Sequence, residues 1–224
     1  MFRKYEKTYR LSIPGFEVPG KFSLSDREVS ELLSGKVIVE EKMDGANTGI
    51  IRFAESYRLQ KRGSLVDTSE HEQFNRFKAW ASEHYNNIMS IPPGYVVYGE
   101  FLYAQHHIFY DRLPDWFLVF DIFSISRRQY VNYEIRRAMC ESAGLWMVPL
   151  IGVGHYTKEE LGCVLLPKVS RYGDRAEGIV IKRYSKKKYL RTKLVWPDFV
   201  KEVDESDHWT KYNIRTNRVI HYDY

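Results

Sequence analysis

The amino-acid sequence predicts an α+β fold in which mainly antiparallel sheets are flanked by helices. Short runs of β-branched and aromatic residues, bounded by turn-forming residues, indicate strands along most of the chain. Amphipathic helical patterns interrupt these runs, but strands and helices do not alternate strictly, as they would in a doubly wound fold. Aromatic residues make up 15% of the chain, a content that is typical of β-structure.

The strand predictions follow the apolar runs in chain order. The predicted strands are Lys36–Glu41, Thr48–Phe53, Tyr95–Tyr103, Trp116–Phe123, Leu145–Ile151, Glu177–Arg183 and Tyr189–Val195.

Helices are predicted where apolar residues recur at helical spacing. Phe77 and Trp80 belong to such a stripe in the segment 69–90, and Ser69 with Glu72 forms a capping box at its start. A second helix is predicted over 133–143, followed by a glycine suited to the left-handed C-terminal position. A further capping box at 157–160 predicts a short third helix.

Length and composition limit the class of protein. The 224 residues fit one domain with a short appendage. The net charge of +5 permits a polyanionic partner without requiring one. No apolar run approaches the roughly 18 residues of a membrane span, and the polar N-terminus lacks an apolar signal core. We therefore expect a cytoplasmic protein, in which Cys140 and Cys163 are small core residues.

The segment from Val37 to Asn47 is the most informative part of the sequence. A predicted strand leads directly into Lys42 and then into a tight turn formed by Asp44 and Gly45. A lysine amine is a nucleophile only when it is unprotonated, and desolvation or nearby cations favour that form. Spacing alone favours the alternative, a plain β-hairpin with an exposed lysine.

A second segment places Glu100 directly after Gly99 inside an otherwise apolar strand. An inward-pointing carboxylate needs a cation, a metal or a ligand hydroxyl as its partner. A glycine within a strand indicates that another group approaches the backbone closely. Taken alone, the segment favours the alternative, an edge-strand glutamate that faces water.

A third segment contains Glu177, Lys182, Arg191 and Lys193. Glu177 and Lys182 would point to opposite faces of a regular strand, whereas Arg191 and Lys193 would share a face and form a double cation for a phosphate. The basic residues 186–188 indicate a hairpin tip, which we expect to be solvated. Contact of this tip with a nucleic-acid backbone is the less favoured alternative.

In chain order, these segments resemble the motifs of the covalent nucleotidyltransferases, the superfamily of polynucleotide ligases and mRNA capping enzymes. The segment Lys42-Met43-Asp44-Gly45 resembles the KxDG nucleotidyl-lysine motif. The later motifs are matched by the segments 61–63, 98–101, 117–122, 177–182 and 191–193. Within the superfamily, the sequence is most similar to the RNA ligase 2 family of phage T4 type, through the segments 1–5, 41–47 (EKxxGxN) and 176–182 (AEGxVxK).

The resemblance implies a ligase adenylation fold and an ATP-dependent RNA ligase that acts through a lysyl-AMP intermediate. Lys42 would attack the α-phosphate of ATP and release pyrophosphate. AMP would then pass to a 5′-phosphate end, and a 3′-hydroxyl would displace AMP and seal the strand. The implied cofactors are ATP and Mg²⁺ or Mn²⁺, and the implied partner is nucleic acid with such ends, above all nicked duplex RNA or an RNA-containing duplex, as in RNA repair.

The resemblance also implies roles for individual residues. Lys42, Glu177 and Lys193 are assigned to catalysis, and Glu177 and Glu100 to the metal. The assigned nucleotide-binding residues are Glu41, Asn47, Arg62, Glu100, Phe120, Lys182 and Arg191.

Among these residues, Phe120 is expected to stack on the adenine and Glu41 to line its pocket. Arg62 and Glu100 are expected to face the ribose, while the cations of the third segment contact the nucleotide and its phosphates. Asn47 is expected to position the 5′-phosphate in the later steps.

The resemblance covers about residues 1–200, which we interpret as the nucleotidyltransferase domain, followed by a short tail at 201–224. RNA ligase 2 proteins continue into a helical domain, and DNA ligases and capping enzymes into an OB domain, and neither fits within this tail. We therefore expect weak, salt-sensitive binding of nucleic acid, or a partner protein that supplies the missing domain. The candidate RNA contacts are Lys186–Lys188, Lys201, Lys211, Arg215 and Arg218, with Trp209 and Tyr212 for stacking.

Three alternatives stay open at this level: an ATP-dependent DNA ligase, a GTP-using nucleotidyltransferase of the capping type, and a basic domain that binds RNA without chemistry. A covalent label from ATP indicates a ligase, and a label from GTP indicates the capping type. The absence of any label favours the binding domain.

Overall fold

The fold is described from a computed structural model, which covers residues 2–18, 22–68, 71–163, 166–185, 188–200 and 214–220 in sufficient detail. The chain divides into two compact units. Unit 1 comprises Met1–Tyr5, Asp44–Met147 and Trp209–Tyr224, and unit 2 comprises Glu6–Met43 and Val148–His208. The predicted boundary between a domain at 1–200 and a tail at 201–224 stays a prediction, since 201–213 and 221–224 lie outside the described residues.

Unit 1 is built on a five-stranded antiparallel sheet with the order β3-β2-β4-β5-β6. Its strands are β2 (Ala46–Arg52), β3 (Tyr57–Lys61), β4 (Tyr95–Phe101), β5 (Phe117–Ser124) and β6 (Gln129–Tyr130). Its helices are α2 (Glu72–Glu83), α3 (Tyr85–Ser90) and α4 (Tyr133–Ala143). Side chains of one sheet face and of all three helices share an apolar core that includes Phe77, Trp80, Val97 and Phe117.

Unit 2 is built on a four-stranded antiparallel sheet with the order β7-β1-β8-β9. Its strands are β1 (Val37–Lys42), β7 (Leu150–Gly154), β8 (Gly178–Tyr184) and β9 (Tyr189–Val195), and its helices are α1 (Asp26–Leu33) and α5 (Lys158–Cys163). One sheet face packs with both helices in a core that includes Leu32, Val39, Leu161 and Ile181.

Local capping signals account for the helix ends. The helix α4 ends at Gly144, which has φ 62° as predicted. Before α5, Glu160 N donates to Thr157 Oγ1 at 3.2 Å and Thr157 N donates to Glu160 Oε2 at 2.8 Å, so that capping box is confirmed. The predicted helix at 69–90 is divided into α2 and α3, which meet at His84, and the proposed cap Ser69 lies outside the described residues.

Some elements differ from the prediction. Helix α1 was not predicted, although a capping box joins Ser25 and Glu28 at its start. Strands β3 and β6 were also missed, and β7 begins at Leu150 rather than Leu145. Leu145 lies outside the strand and is buried in the core of unit 1, which accounts for an apolar residue at this position. Cys140 is buried as expected, but the expectation for Cys163 is wrong, because it is exposed.

The sheets also decide two alternatives that the sequence left open. The plain hairpin around Lys42 is wrong, because β1 and β2 belong to different sheets. The edge-strand position of Glu100 is wrong as well, because β4 lies between β2 and β5. The hairpin between β8 and β9 is confirmed: Ser185 N donates to Lys188 O at 3.0 Å. Across the ranges that the structure describes, no helix has the length and apolar character needed to span a membrane.

Candidate active site

One face of the unit 2 sheet carries charged side chains on three neighbouring strands. Paired residues of antiparallel strands point their side chains to the same face, and residues two apart in a strand also share a face. The opposite face carries apolar residues such as Val39, Ile181 and Leu194, which pack in the core. The strand register assigns these charged residues to the first face, which we call the charged face: Glu40, Lys42, Lys182, Arg191 and Lys193.

Lys42, the last residue of β1, is hydrogen bonded through its amine to a carboxylate. Lys42 Nζ lies 2.5 Å from Glu177 Oε2, and the two side chains are 22% and 8% exposed. Glu177 immediately precedes β8, where the strands approach so closely that a Cβ on Gly178 would lie 2.1 Å from Leu194 O. Glycine at 178 therefore allows the carboxylate to reach Lys42. The Glu177 carboxylate can hold the Lys42 amine in place and accept its proton.

Lys182 forms a second ion pair on the charged face. Lys182 Nζ lies 2.8 Å from Glu40 Oε2, and both side chains are only 1% exposed. The predicted contact between Lys182 and a nucleotide stays a prediction, and the structure adds Glu40, which was not among the predicted site residues. The spacing of two between Glu40 and Lys42 was the sequence signal for it.

Arg191 and Lys193 lie two apart in β9, and they share a face as predicted. The Arg191 guanidinium, however, contacts the N-terminal segment. Its Nε donates to Thr8 Oγ1 at 3.0 Å, and its Nη2 donates to Glu6 O at 2.8 Å and lies 3.4 Å from Glu6 Oε2. Its phosphate-binding role stays a prediction in which Glu6 is a competing partner.

Glu41 lies in β1 on the apolar face and is 4% exposed. Burial raises the pKa of Glu41, and hydrogen bonds from the Ser170 side chain and the Arg171 N–H offset part of this effect. The backbone N–H of Glu41 donates to Pro149 O at 2.9 Å. The assignment of Glu41 to an adenine pocket stays a prediction.

The turn after Lys42 begins unit 1 and is held by the segment 102–110. Asp44 Oδ2 accepts hydrogen bonds from His107 N at 2.7 Å and from Ile108 N at 3.0 Å, and Asp44 N donates to the Tyr110 hydroxyl at 2.8 Å. A Cβ on Gly45 would lie 2.8 Å from Phe101 O. The aspartate and glycine of the motif therefore shape the turn, and His107 contributes its backbone to that turn.

Asn47 and Glu100 are neighbours on the second face of the unit 1 sheet. They are register partners in β2 and β4, and both are half-buried. Phe120 lies at a bulge of β5, is half-buried, and has its ring centroid 5.0 Å from that of Tyr5. Arg62 follows the end of β3 and is exposed. The roles assigned to these residues stay predictions.

A buried polar network next to Phe120 was missed. The Tyr5 hydroxyl donates to Asp121 Oδ2 at 2.5 Å. Asp121 Oδ1 lies 3.7 Å from Arg136 Nη1, and both of these side chains are fully buried. Nothing in the local sequence marks this pairing, which joins the N-terminal segment, β5 and α4.

Two carboxylates, Glu177 and Glu100, are the predicted metal ligands. In the part of the chain that the structure describes, no three His, Cys, Asp or Glu side chains cluster closely enough to hold a metal. Within the described residues, neither glutamate therefore belongs to a metal site formed by three or more protein ligands. A small number of carboxylates fits Mg²⁺, which keeps several waters and is otherwise bound by substrate phosphates.

A sequence model of the RNA ligase family matches residues 35–196, which is most of the chain. The chain belongs to the RNA ligase family. This confirms the resemblance to the RNA ligases. No curated protein gives a significant sequence match to this family member.

Solved structures of the Naegleria gruberi RNA ligase share the fold of this RNA ligase family member. A variant with ATP and Mn has a TM-score of 0.65 at 17% identity, and the match covers 88% of this chain and 61% of that chain. The ligase with PPi has a TM-score of 0.62 at 16% identity, with coverages of 92% and 65%. A variant with AMP and Mn has a TM-score of 0.63 at 17% identity, with coverages of 89% and 62%. The predicted fold class is confirmed, and this chain spans less than two thirds of the length of these structures.

Proposed function

We propose that this member of the RNA ligase family is an ATP-dependent RNA ligase that forms a covalent lysyl-AMP intermediate. The observation that carries the proposal is the Lys42 amine, partly exposed at the end of β1 and 2.5 Å from the Glu177 carboxylate, in a KxDG-like segment. The Naegleria gruberi ligase structures with ATP, AMP and Mn support the choice of nucleotide and metal.

In the first step, Lys42 Nζ attacks the α-phosphorus of ATP. A nitrogen–phosphorus bond forms, the bond from the α-phosphorus to the bridging oxygen breaks, and pyrophosphate leaves. Glu177 Oε2 is within hydrogen-bond distance of Nζ and accepts the proton that the amine loses. Such a reaction depends mainly on positioning and charge stabilisation. The paired ends of β1 and β8 supply the positioning.

A divalent ion, when bound, withdraws charge from the phosphates. Glu177 and Glu100 are the residues proposed to hold Mg²⁺ or Mn²⁺. Glu177 would then serve both as a ligand of the ion and as the hydrogen-bond partner of the Lys42 amine.

The remaining nucleotide contacts are proposed from the family resemblance. Phe120 stacks on the adenine, a contact worth about 1–3 kcal/mol for base–aromatic pairs. Arg62 is exposed and so is available to the ribose. Asn47, beside Glu100 in the register, positions the 5′-phosphate after adenylylation.

The proposed substrate is a nicked RNA duplex, or an RNA-containing duplex, in a cytoplasmic setting. AMP passes from Lys42 to the 5′-phosphate, and the 3′-hydroxyl then displaces AMP and forms the phosphodiester. Among the predicted RNA contacts, Lys188 lies 3.1 Å from Glu31, while Arg215 and Arg218 are exposed on the segment 214–220. The other contacts lie outside the described residues, and a partner protein is the alternative means of holding the RNA.

Adduct formation tests the proposal directly. The purified chain is incubated with ATP or GTP and Mg²⁺, and its intact mass is measured. We expect the wild-type mass to increase by one AMP. We expect no adduct in Lys42→Ala and slower adduct formation in Glu177→Gln. Lys188→Ala is the matched control, because this exposed lysine is outside the predicted catalytic set.

The alternatives give different results in the same experiment. A GMP adduct indicates the capping type, and sealing of nicked DNA in preference to nicked RNA indicates a DNA ligase. If the folded chain gains no nucleotide, or if AMP is attached to another lysine, the proposed mechanism is wrong.

A further inference from the structure

The N-terminal segment extends the sheet of unit 2 next to β9. Lys193 N donates to Tyr9 O at 3.0 Å, and Leu11 N donates to Lys193 O at 2.7 Å, so that Arg10 is the bridge partner of Lys193. On its other side, Arg10 N donates to Phe22 O at 2.8 Å. The backbone of Arg10 is therefore held between two extended segments, and its side-chain direction follows from the strand geometry.

That direction is toward the charged face. Leu11 is fully buried in the apolar core of unit 2, and adjacent residues of an extended chain point to opposite faces. Arg10 therefore shares the charged face with Lys193. Thr8, two residues earlier, supports this assignment, because its hydroxyl accepts the hydrogen bond from Arg191 Nε.

The other cations of this face with defined contacts have carboxylate partners. Lys42 contacts Glu177, Lys182 contacts Glu40, and Arg191 contacts Glu6. Arg10 is half-buried, and within the described ranges its guanidinium has no hydrogen-bond or ion-pair partner. A partly desolvated guanidinium without a protein partner favours an anionic ligand, and its planar fork matches a phosphate.

The position of Arg10 indicates which phosphate it would bind. Across the sheet, β8, β9 and the N-terminal segment follow β1, and the register places Arg10 in the row of Glu40. Three strand spacings across the sheet and two residues along it, about 16 Å in all, therefore separate the Arg10 backbone from that of Lys42. Both side chains are long, but they start from different strands and rows. If the Lys42 amine lies at the α-phosphate of ATP, the Arg10 guanidinium can reach phosphates beyond it in the triphosphate.

We propose that Arg10, together with Lys193, binds the β- and γ-phosphates of ATP, the group that leaves as pyrophosphate. This inference rests on the proposed function. Arg10 takes the role that the sequence assigned to Arg191, whose guanidinium is engaged by Glu6 and Thr8. By holding the leaving group, Arg10 assists adenylylation of Lys42 and its reversal by pyrophosphate, but it has no part in the transfer of AMP to RNA.

Three reactions test this inference in the full chain with Arg10→Ala. They are adenylylation at varied ATP, release of ATP from the adenylylated enzyme at varied pyrophosphate, and transfer of AMP from that enzyme to a 5′-phosphorylated RNA nick. We expect the half-saturating concentrations of ATP and of pyrophosphate to rise about tenfold or more, since an arginine–phosphate contact is a charge-assisted hydrogen bond. We expect AMP transfer to be unchanged, and Arg10→Lys to restore part of the loss.

Arg27→Ala is the matched control, because Arg27 is an exposed arginine of α1 in the same unit. A thermal melt of each variant verifies folding, and Arg10→Lys provides the comparison if Arg10→Ala is unstable. Unchanged dependence on ATP and pyrophosphate would overturn the inference. A loss confined to AMP transfer would also overturn it, and would assign Arg10 to the RNA 5′-phosphate.

A binding measurement separates this inference from the proposed function. Calorimetric titration of ATP into Lys42→Ala, with and without Arg10→Ala, needs no adduct. If the wild type forms no adduct but Arg10→Ala still weakens ATP binding, the function is wrong and the phosphate contact holds. Equal ATP affinities would reject the contact.

Discussion

Removal of one partner from the buried Glu40–Lys182 pair should destabilise unit 2 strongly. Lys182→Met leaves the Glu40 carboxylate in a site where both side chains are 1% exposed and the charged atoms are 2.8 Å apart in the wild type. A buried charge without its partner costs about 3–5 kcal/mol of the free energy of unfolding. Because the stability of a protein is typically about 5–15 kcal/mol, this is a large fraction of the total.

A double variant distinguishes a charge effect from a packing effect. Glu40→Leu combined with Lys182→Met replaces both charges by apolar side chains, and such replacements are often neutral or stabilising. We therefore expect the double variant to be markedly more stable than Lys182→Met alone. Lys188→Met is the matched control: it breaks a pair with Glu31 at 3.1 Å whose side chains are 49% and 43% exposed, which should cost about 1 kcal/mol or less.

Urea unfolding, followed by circular dichroism, measures these differences. If Lys182→Met were no less stable than Lys188→Met, or if the double variant were no more stable than Lys182→Met, the reasoning from buried charge would be refuted. Adenylylation by the double variant tests the predicted contact between Lys182 and the nucleotide. A stable double variant with normal ATP dependence would show that Lys182 does not contact the nucleotide.

Three further changes have defined outcomes. Gly178→Ala should lower both stability and the rate of adenylylation, because its Cβ would lie 2.1 Å from Leu194 O; a normal rate in a thermally stable variant would contradict the positioning of Glu177 by this glycine. For Glu41, burial raises the pKa, so the wild type should lose stability relative to Glu41→Gln as pH rises from the ordinary value of 4.5 through the raised pKa. Urea midpoints measured for both chains across this range check the sign, and a difference independent of pH would contradict it. Asn217→Ala should cost about 1–3 kcal/mol, because the buried side chain donates to Leu102 O at 2.7 Å and accepts from Tyr110 N at 2.9 Å. Thermal unfolding compared with the exposed Arg215→Ala provides the measurement, and equal melting temperatures would argue against this contact.

Local chemistry in the sequence was sufficient for the elements on which the site is built. Runs of β-branched and aromatic residues predicted β1, β8 and β9. Within a strand, residues two apart point to the same face. The same rule placed Arg191 and Lys193 on one face. The end of α4 at Gly144 followed from a glycine at the left-handed position. The series of motifs beginning at Lys42 indicated the family, and the match over residues 35–196 confirms that family.

The partners of the charged groups were decided by the tertiary structure. Glu40 and Lys182 meet because β1 pairs with β8, and Arg191 meets Glu6 because the N-terminal segment runs beside β9. Asp44, read as a turn former, is held by backbone N–H groups of a distant segment. Local rules act over a few residues, through residue preference, capping and turn formation. The sequence by itself therefore determined strands β1, β8 and β9, the start of α5, the end of α4 and the motif around Lys42. Which charge meets which depends on strand register and on segments far apart in the chain, and no short-range pattern encodes that.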